Sequence, residues 1–345
     1  MPVRLGVIGA GGIARRRTIP EGIVPSEKVV LAAVMDPVGI SDIAAQFGVK
    51  RCYSREEDLI ADRDVEGVYI ATPAHLHHRQ VLAGIEAGKH VLCEKPLGLT
   101  MEECLSARAA AERAGVVLMV GFMMRFHSCH RKAKELIESG ALGQPVLGRA
   151  QLTCWYPPIQ GAWRQDPKLG GGGALMDMGI HCIDLLRYFF GEVREVMAFT
   201  DNITHGYPVD DSATVILKFQ NGAQGIVDSN FNIPDEAAQN CLELYGTRGA
   251  ISARGTIGQS SVGRLTLYSQ TQGGYDAQQK REGGKAVEIV PEPVNIYRAE
   301  IEHFADCITG ALPRSAAAAN LADGIRAEEL VLAAYESSRT RRAVR

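Results

Sequence analysis

The chain has 345 residues, enough for two domains that each bury a full hydrophobic core. Its apolar fraction of 46% and charged fraction of 22% are ordinary for a soluble globular protein. A formal net charge of −3, with no long basic run, argues against nucleic acid as a partner.

The first apolar run, Val3 to Ile8, leads straight into Gly9-Ala10-Gly11-Gly12-Ile13-Ala14. Gly9 permits a tight turn, Gly11 lets backbone approach a pyrophosphate, and small Ala14 lets the following helix pack on the sheet. The start of that helix offers unpaired N–H groups and a favourable dipole to phosphates. Its Arg15-Arg16-Arg17 cluster reads equally as a solvated face or as long-range attraction to the phosphates. The next run, 28–35, ends at Asp36, an acid placed to accept hydrogen bonds from a ribose 2′-hydroxyl and to repel a 2′-phosphate. NAD is therefore the expected cofactor, ahead of NADP. The competing reading of Asp36-Pro37 is a solvated turn.

Further apolar runs follow at 67–71, 90–93 and 116–120, with a short candidate near 51–52. Ser54-Arg55-Glu56-Glu57 and Thr100-Met101-Glu102-Glu103 match capping boxes, and Gly48, Gly88 and Gly115 stand where helices should stop. Continuous apolar strands alternating with helices imply a parallel sheet covered on both faces, a Rossmann-type doubly wound domain over residues 1–122. The stretch Gly115 to Met124 is half of what a bilayer needs and reads as a buried strand, so no membrane partner is expected. A strand beginning at residue 3 leaves no room for a secretory leader. The eight cysteines are scattered without CxxC or metal-ligand spacing, as expected of reduced thiols in a cytoplasmic protein with no metal.

The rhythm changes in residues 123–345. A helix at 129–139 should end at Gly140. Strand-like runs then succeed one another at 146–156, 192–200, 211–220, 223–232, 240–246, 249–254 and 263–269. Asn221-Gly222 is a hairpin signal, and the pattern predicts an α+β domain with a mainly antiparallel sheet. Thr271 to Lys285 reads as a loop or hairpin tip. Helices near 295–310 and 316–338 close the chain.

Three segments carry chemistry. Cys93-Glu94-Lys95-Pro96 ends a strand of the nucleotide domain, where ligands of open α/β sheets bind. Lys95 there reads as a group reaching cofactor ribose and substrate, or as a surface lysine. In the run Gly170 to Asp184, helical spacing puts Asp177, His181, Asp184 and Tyr188 on one stripe. Met178, Cys182, Leu185 and Phe189 fall on an adjacent stripe. If the second stripe is buried, the first looks toward a cleft. Asp177 and His181 then form an acid–base pair, against the alternative of a solvated polar face or a structural histidine. Trp155-Tyr156 and Trp163-Arg164 contain both tryptophans of the chain, and suit stacking on a nicotinamide or a sugar, or packing under a loop.

With the glycine turn, Ala71-Thr72-Pro73, Leu76-His77, Gly88-Lys89-His90 through Glu94-Lys95-Pro96, Gly121-Phe122-Met123, Trp163-Arg164, the GGGxxxDxGxHxxD run from Gly171 to Asp184, and Tyr297-Arg298-Ala299-Glu300, the chain resembles the glucose–fructose oxidoreductase / inositol dehydrogenase / rhizopine-catabolism family (Gfo/Idh/MocA) over essentially its whole length. The resemblance implies a Rossmann domain followed by a domain with a large open sheet that builds homodimers or homotetramers. It also implies NAD(P)-dependent oxidation or reduction of a sugar, cyclitol or related polyol. Lys95, Asp177 and His181 match the family's catalytic residues. Gly9, Gly11, Gly12, Ile13, Asp36, Thr72, Pro73, His77, Glu94, Lys95, Trp163 and Arg164 are expected to face the cofactor, and Lys95, Asp177 and His181 the substrate; Tyr156 and Tyr297, with Trp155, are candidates for a sugar-binding wall, against the alternative of core packing. Two positions depart from the family: Ala74 stands where Asn is frequent, and Met124 where a basic residue is. The alternatives are a NAD-dependent glycosidase that uses transient hydride transfer, and a non-enzymatic nucleotide or sugar sensor. The intact Lys95, Asp177 and His181 set argues against the sensor.

Overall fold

Six strands build the first sheet: β1 (Val3–Ile8), β2 (Val29–Met35), β3 (Cys52–Tyr53), β4 (Gly67–Ile70), β5 (His90–Glu94) and β6 (Leu118–Gly121). They are parallel throughout and ordered β3-β2-β1-β4-β5-β6. Leu5, Val7, Val68, Tyr69, Val91 and Leu92 are fully buried, because helices cover both faces and leave no polar side. Strand order reverses between β1 and β4, so the segments leaving those two strands flank the crevice where such sheets bind ligands. This is the computed structural model of the chain, and it describes residues 1–269, 277 and 285–345.

The helix after the glycine turn is wider than expected. Over Ala14–Ile23 it contains Pro20 and closes with an i→i+5 bond from Val24 N–H to the Ile19 carbonyl at 2.9 Å. A proline lacks the N–H of a regular turn, and the wider helix absorbs the gap. Thr100 caps helix Met101–Ala114 as expected, accepting from Glu103 N–H at 3.2 Å. Ser54 does not cap: helix Glu56–Ala61 starts after an extended Arg55, with no side-chain cap. Glu57 turns back to pair with Arg55, and the Glu56 carboxylate points inward to Gln80 and Arg79 at 2.5 Å each.

The second sheet has eight strands: β7 (Pro145–Thr153), β8 (Val193–Asp201), β9 (Ser212–Phe219), β10 (Gln224–Asn230), β11 (Cys241–Gly246), β12 (Gly249–Arg254), β13 (Arg264–Ser269) and β14 (Lys285–Ile289). Their order is β14-β13-β12-β11-β7-β10-β9-β8, antiparallel except for the parallel pair β7–β10. Asn221-Gly222 forms the β9–β10 turn, with Gly222 at φ +93° and Phe219 N–H bonded to the Ala223 carbonyl at 3.0 Å. Helix Ile180–Phe190 lies on one face of this sheet. A Cβ at Gly148 of β7 would stand 2.8 Å from Leu186 and 2.9 Å from Phe190, so the close approach depends on glycine. The expected loop at Thr271–Lys285 lies outside the described residues, apart from residue 277 and Lys285, and Lys285 opens β14.

Two units emerge. The first contains Met1–Met123, Gly161–Gly171 and Asn295–Glu329, and the second contains Met124–Gln160, Gly172–Val294 and Leu330–Arg345. Ile301, Phe304 and Ala305 of helix Ile296–Thr309 complete the core around β1 and β2 in the first unit. Among the described residues no helix is long and apolar enough to cross a membrane.

Candidate active site

The glycine turn takes its shape from its neighbours. Gly9 has φ +80°, and a Cβ there would sit 2.7 Å from the Thr72 methyl and 2.8 Å from the Thr72 nitrogen. Gly12 has φ +43° and faces open space. Asp36 reaches back to the turn: Gly11 N–H donates to its Oδ2 at 2.9 Å, and Val38 N–H donates to Oδ1 at 3.0 Å. A carboxylate offers about four lone-pair sites, so about two remain for a ligand. Ile13 begins the wide helix and is half-buried. This cradle of open glycine backbone with an acid beside it fits a dinucleotide.

The segment after β4 is braced from below. Thr72 donates to Gln80 Oε1 at 2.5 Å, and Gln80 is held in turn by Glu56. Pro73 leads into the turn Ala74–Leu76. His77 is 1% exposed, with Nδ1 2.6 Å from the Pro96 carbonyl and Nε2 2.9 Å from the Thr72 carbonyl. Burial pushes its pKa down and the two carbonyls push it up. Both ring nitrogens lie within hydrogen-bond distance of a backbone carbonyl, and the single N–H of a neutral ring can donate to one of them.

At the end of β5, Glu94 accepts from Tyr69 Oη at 2.6 Å, and Tyr69 shares a 3.0 Å bond with Thr18. Gly121 on β6 makes room: a Cβ there would lie 3.3 Å from the Glu94 carboxyl. Burial raises the pKa of Glu94, opposed by the Tyr69 hydrogen bond and by the charges of Lys95 and Arg164. Lys95 is half-buried, and the Lys95–Pro96 bond is cis. The segment Gly161–Gly171 joins this unit, and its Arg164 guanidinium lies 4.1 Å over the Trp163 ring. Tyr297 is 1% exposed, with Arg17 5.3 Å over its ring. Its backbone and Cβ pack closely on Gly22 within the first unit.

Asp177 and His181 belong to the second unit. The chain enters their helix through a wide turn, Leu175–Gly179, which continues as Ile180–Phe190. Its start is capped from far away. The Asp210 carboxylate accepts from Gly173 N–H and Leu175 N–H at 2.8 Å each and from Tyr335 Oη at 2.7 Å. The Asp210 carbonyl accepts from Ala174 N–H at 3.0 Å. Any Cβ at Gly172 would overlap the Tyr335 hydroxyl, and one at Gly173 would overlap the Asp210 carbonyl. Burial raises the pKa of Asp210, and the bonds from Leu175, Tyr335 and Gly173 hold it back. No motif marks Asp210 or Tyr335; the glycine run is their only signature in the sequence.

The expected polar stripe divides. Asp177 is half-buried and His181 is 5% exposed. Asp184 does not look toward a cleft: it is 1% exposed and accepts from Arg125 Nε at 2.7 Å and Nη2 at 2.6 Å. Arg125 also lies 5.3 Å over the Tyr188 ring, so the last half of the stripe is a packed ion pair. Tyr156 is half-buried against Phe231, with ring centroids 4.9 Å apart. Trp155 is exposed, edge-on to His205, and lines a small surface cavity with Pro234, Asp235 and Glu236. Among the described residues no cluster of three or more His, Cys, Asp or Glu is placed to hold a metal ion.

Comparison with known proteins agrees with this architecture. Residues 3–122 match a family model described as an oxidoreductase family with a NAD-binding Rossmann fold, and residues 130–252 match the GFO/IDH/MocA C-terminal domain. A 1,5-anhydro-D-fructose reductase of Ensifer adhaerens is 31% identical over 89% of this chain and 88% of its own. A D-xylose 1-dehydrogenase (NADP(+)) of Haloferax volcanii is 30% identical over 98% of each. A levoglucosan dehydrogenase solved in complex with NADH superposes with a TM-score of 0.85 at 25% identity, covering 100% of this chain and 99% of that one. The chain belongs to the GFO/IDH/MocA family, whose members are NAD(P)-binding oxidoreductases of sugars and polyols.

Proposed function

We propose that this protein is a NAD-dependent dehydrogenase or reductase that moves a hydride between nicotinamide and a hydroxyl-bearing carbon of a sugar, cyclitol or related polyol. The observation that carries the reading is the helix start clamped by Asp210, which presents a half-buried Asp177 one turn before His181. The bound dinucleotide supplies the hydride acceptor or donor. His181 takes the hydroxyl proton, Asp177 orients the imidazole and stabilises its cation, and Lys95 hydrogen-bonds the reacting oxygen. General acid–base assistance of this kind is worth about 10²–10⁴ in rate, and no step requires a metal. Gly9, Gly11, Gly12, Ile13, Thr72, Pro73, Glu94, Trp163 and Arg164 are proposed to hold the dinucleotide, with Asp36 on the ribose hydroxyls and Tyr156 toward substrate.

The preference for NAD rests on Asp36. A 2′-phosphate would bring like charge against a carboxylate that already faces the glycine turn. Reduced cofactor is to be followed with a panel of D-xylose, levoglucosan, myo-inositol and sugar acids, each with NAD and with NADP. At least one sugar or polyol should yield NADH, with kcat/KM for NAD at least about tenfold above NADP. A better rate with NADP would remove Asp36 from its role. Release of an aglycone from a glycoside panel without net NADH would replace the dehydrogenase by a glycosidase.

The same reading takes the protein as cytoplasmic, in keeping with eight cysteines of which no two are bridged. It also takes the protein as a homodimer or homotetramer through the second sheet. The face away from helix Ile180–Phe190 exposes Met197, Phe199, Ile216, Tyr245 and Tyr268, each 40–52% accessible. Met197 pairs across strands with Ile216, and Tyr245 and Tyr268 both flank Ala250. Two apolar patches flank the Arg149–Asp228 and Arg254–Glu243 ion pairs on that face, a mixed surface suited to self-association. Light scattering at micromolar concentration should give twice or four times the chain mass; a monomer mass would overturn the assembly.

A further inference from the structure

The turn carrying Lys95 runs through Pro96, Leu97 and Gly98 before helix Met101–Ala114 begins. Two buried ionisable side chains outside the proposed chemistry grip it. His77 lies under the Pro96 carbonyl at 2.6 Å, with its other nitrogen on the Thr72 carbonyl at 2.9 Å. Glu328, on helix Arg314–Thr340, is 1% exposed and accepts from Leu97 N–H at 3.1 Å. Its other carboxyl oxygen, Oε1, is buried without a hydrogen-bond partner. The Pro96 carbonyl and the Leu97 N–H are the two ends of one peptide unit. Both polar atoms of the peptide that follows Lys95-Pro96 are therefore fixed by side chains, one from a helix after β4 and one from the last helix. A buried peptide group left without such partners is destabilising, so the turn has one favoured placement.

We propose that His77 and Glu328 are positioning residues for Lys95, acting on its placement through the Pro96–Leu97 peptide. The proposal rests on the reading of Lys95 as catalytic. The ionisable groups that act most on Glu328 are Cys104 and Glu103 from helix Met101–Ala114, and Cys93 from β5 also feels it. Those facing His77 are Lys95 and His75. Burial pushes the Glu328 carboxyl up to about 8. At neutral pH it holds the turn as an uncharged acid, and Gln at this position keeps a neutral group whose oxygen can accept from Leu97 N–H.

The linkage has a definite sign. The pKa is raised above its ordinary 4.5, so the stability Glu328 contributes is complete below about pH 4.5 and is lost as pH rises through about 8. Glu328→Gln should match wild type in Tm at pH 5 and exceed it at pH 9.

The positioning role is tested on the full chain by amide exchange over residues 95–100 and by the ¹³C resonance of reductively methylated Lys95. In Glu328→Leu the Leu97 amide should exchange at least about tenfold faster, and the Lys95 resonance should move. Glu328→Gln should restore both, and NADH affinity should stay within about twofold in each variant. In wild type the Lys95 resonance should follow an additional titration near pH 8 that Glu328→Gln lacks. Should Glu328→Leu not fold, that wild-type titration and the Lys95 shift in His77→Gln decide the matter. Unchanged exchange and an unchanged Lys95 resonance would overturn the positioning role. Full turnover by Lys95→Met on a substrate from the panel would instead overturn the catalytic reading of Lys95, leaving the exchange result to stand by itself.

Discussion

His181→Ala is expected to lower kcat by about 10²–10⁴ while NADH affinity stays within about twofold. The imidazole is 5% exposed and sits one helical turn beyond the half-buried Asp177. If it accepts the hydroxyl proton as proposed, its loss should fall on the chemical step. His181→Asn keeps a polar group of similar size but cannot accept the proton, and should remain impaired. Wild-type kcat in either variant would take His181 out of the reaction. A loss confined to KM would make it a binding group only.

Gly173→Ala should be the most damaging single methyl addition in the second unit. The added carbon has nowhere to go, because it would overlap the Asp210 carbonyl, and Asp210 holds the helix start by two N–H groups. Either Asp210 withdraws and the cap is lost, or the helix shifts. Overpacking costs about 1–3 kcal/mol and loss of a cap about 0.5–2 kcal/mol, so a fall of about 3 kcal/mol is expected, with activity reduced beyond the loss of folded protein. Gly140→Ala is the control. Gly140 also has a positive φ, +81°, but faces open space, and about 1–2 kcal/mol is expected there. Denaturant melts of the two variants separate crowding from backbone conformation. Equal losses would mean the Asp210 contact is dispensable.

Much of this was legible in the sequence because the signals were local. Glycines, an acid at the end of the second strand and near-continuous apolar runs specify the parallel sheet and the Asp36 contact over short separations. The runs at 192–254 named strands β8 to β12 because alternation survives wherever one face is buried. Strand β14 escaped because it is exposed at almost every position and so shows no alternation. The stripe through Asp184 and Tyr188 misled for the opposite reason: helix Ile180–Phe190 is buried nearly all round, and periodicity cannot tell a ligand-facing side from a second packed side. Asp210 and Glu328 act across long separations on backbone N–H groups, and Tyr335 reaches the Asp210 carboxylate from 125 residues away, none of which a side-chain pattern records. Only the glycines at 172 and 173 betray Asp210 and Tyr335, by leaving room for them.

The one parallel pairing in the second sheet has a kinetic side. Strands β8, β9 and β10 follow one another as neighbours, and so do β11, β12 and β13. Each set can zip from its own turns, yet the two sets meet only through β7, which lies early in the chain and is inserted between β10 and β11. The entropy of closing that long excursion falls on a single nine-residue ribbon. Until it docks, the sheet is two halves, each showing a bare hydrogen-bonding edge to any other chain nearby.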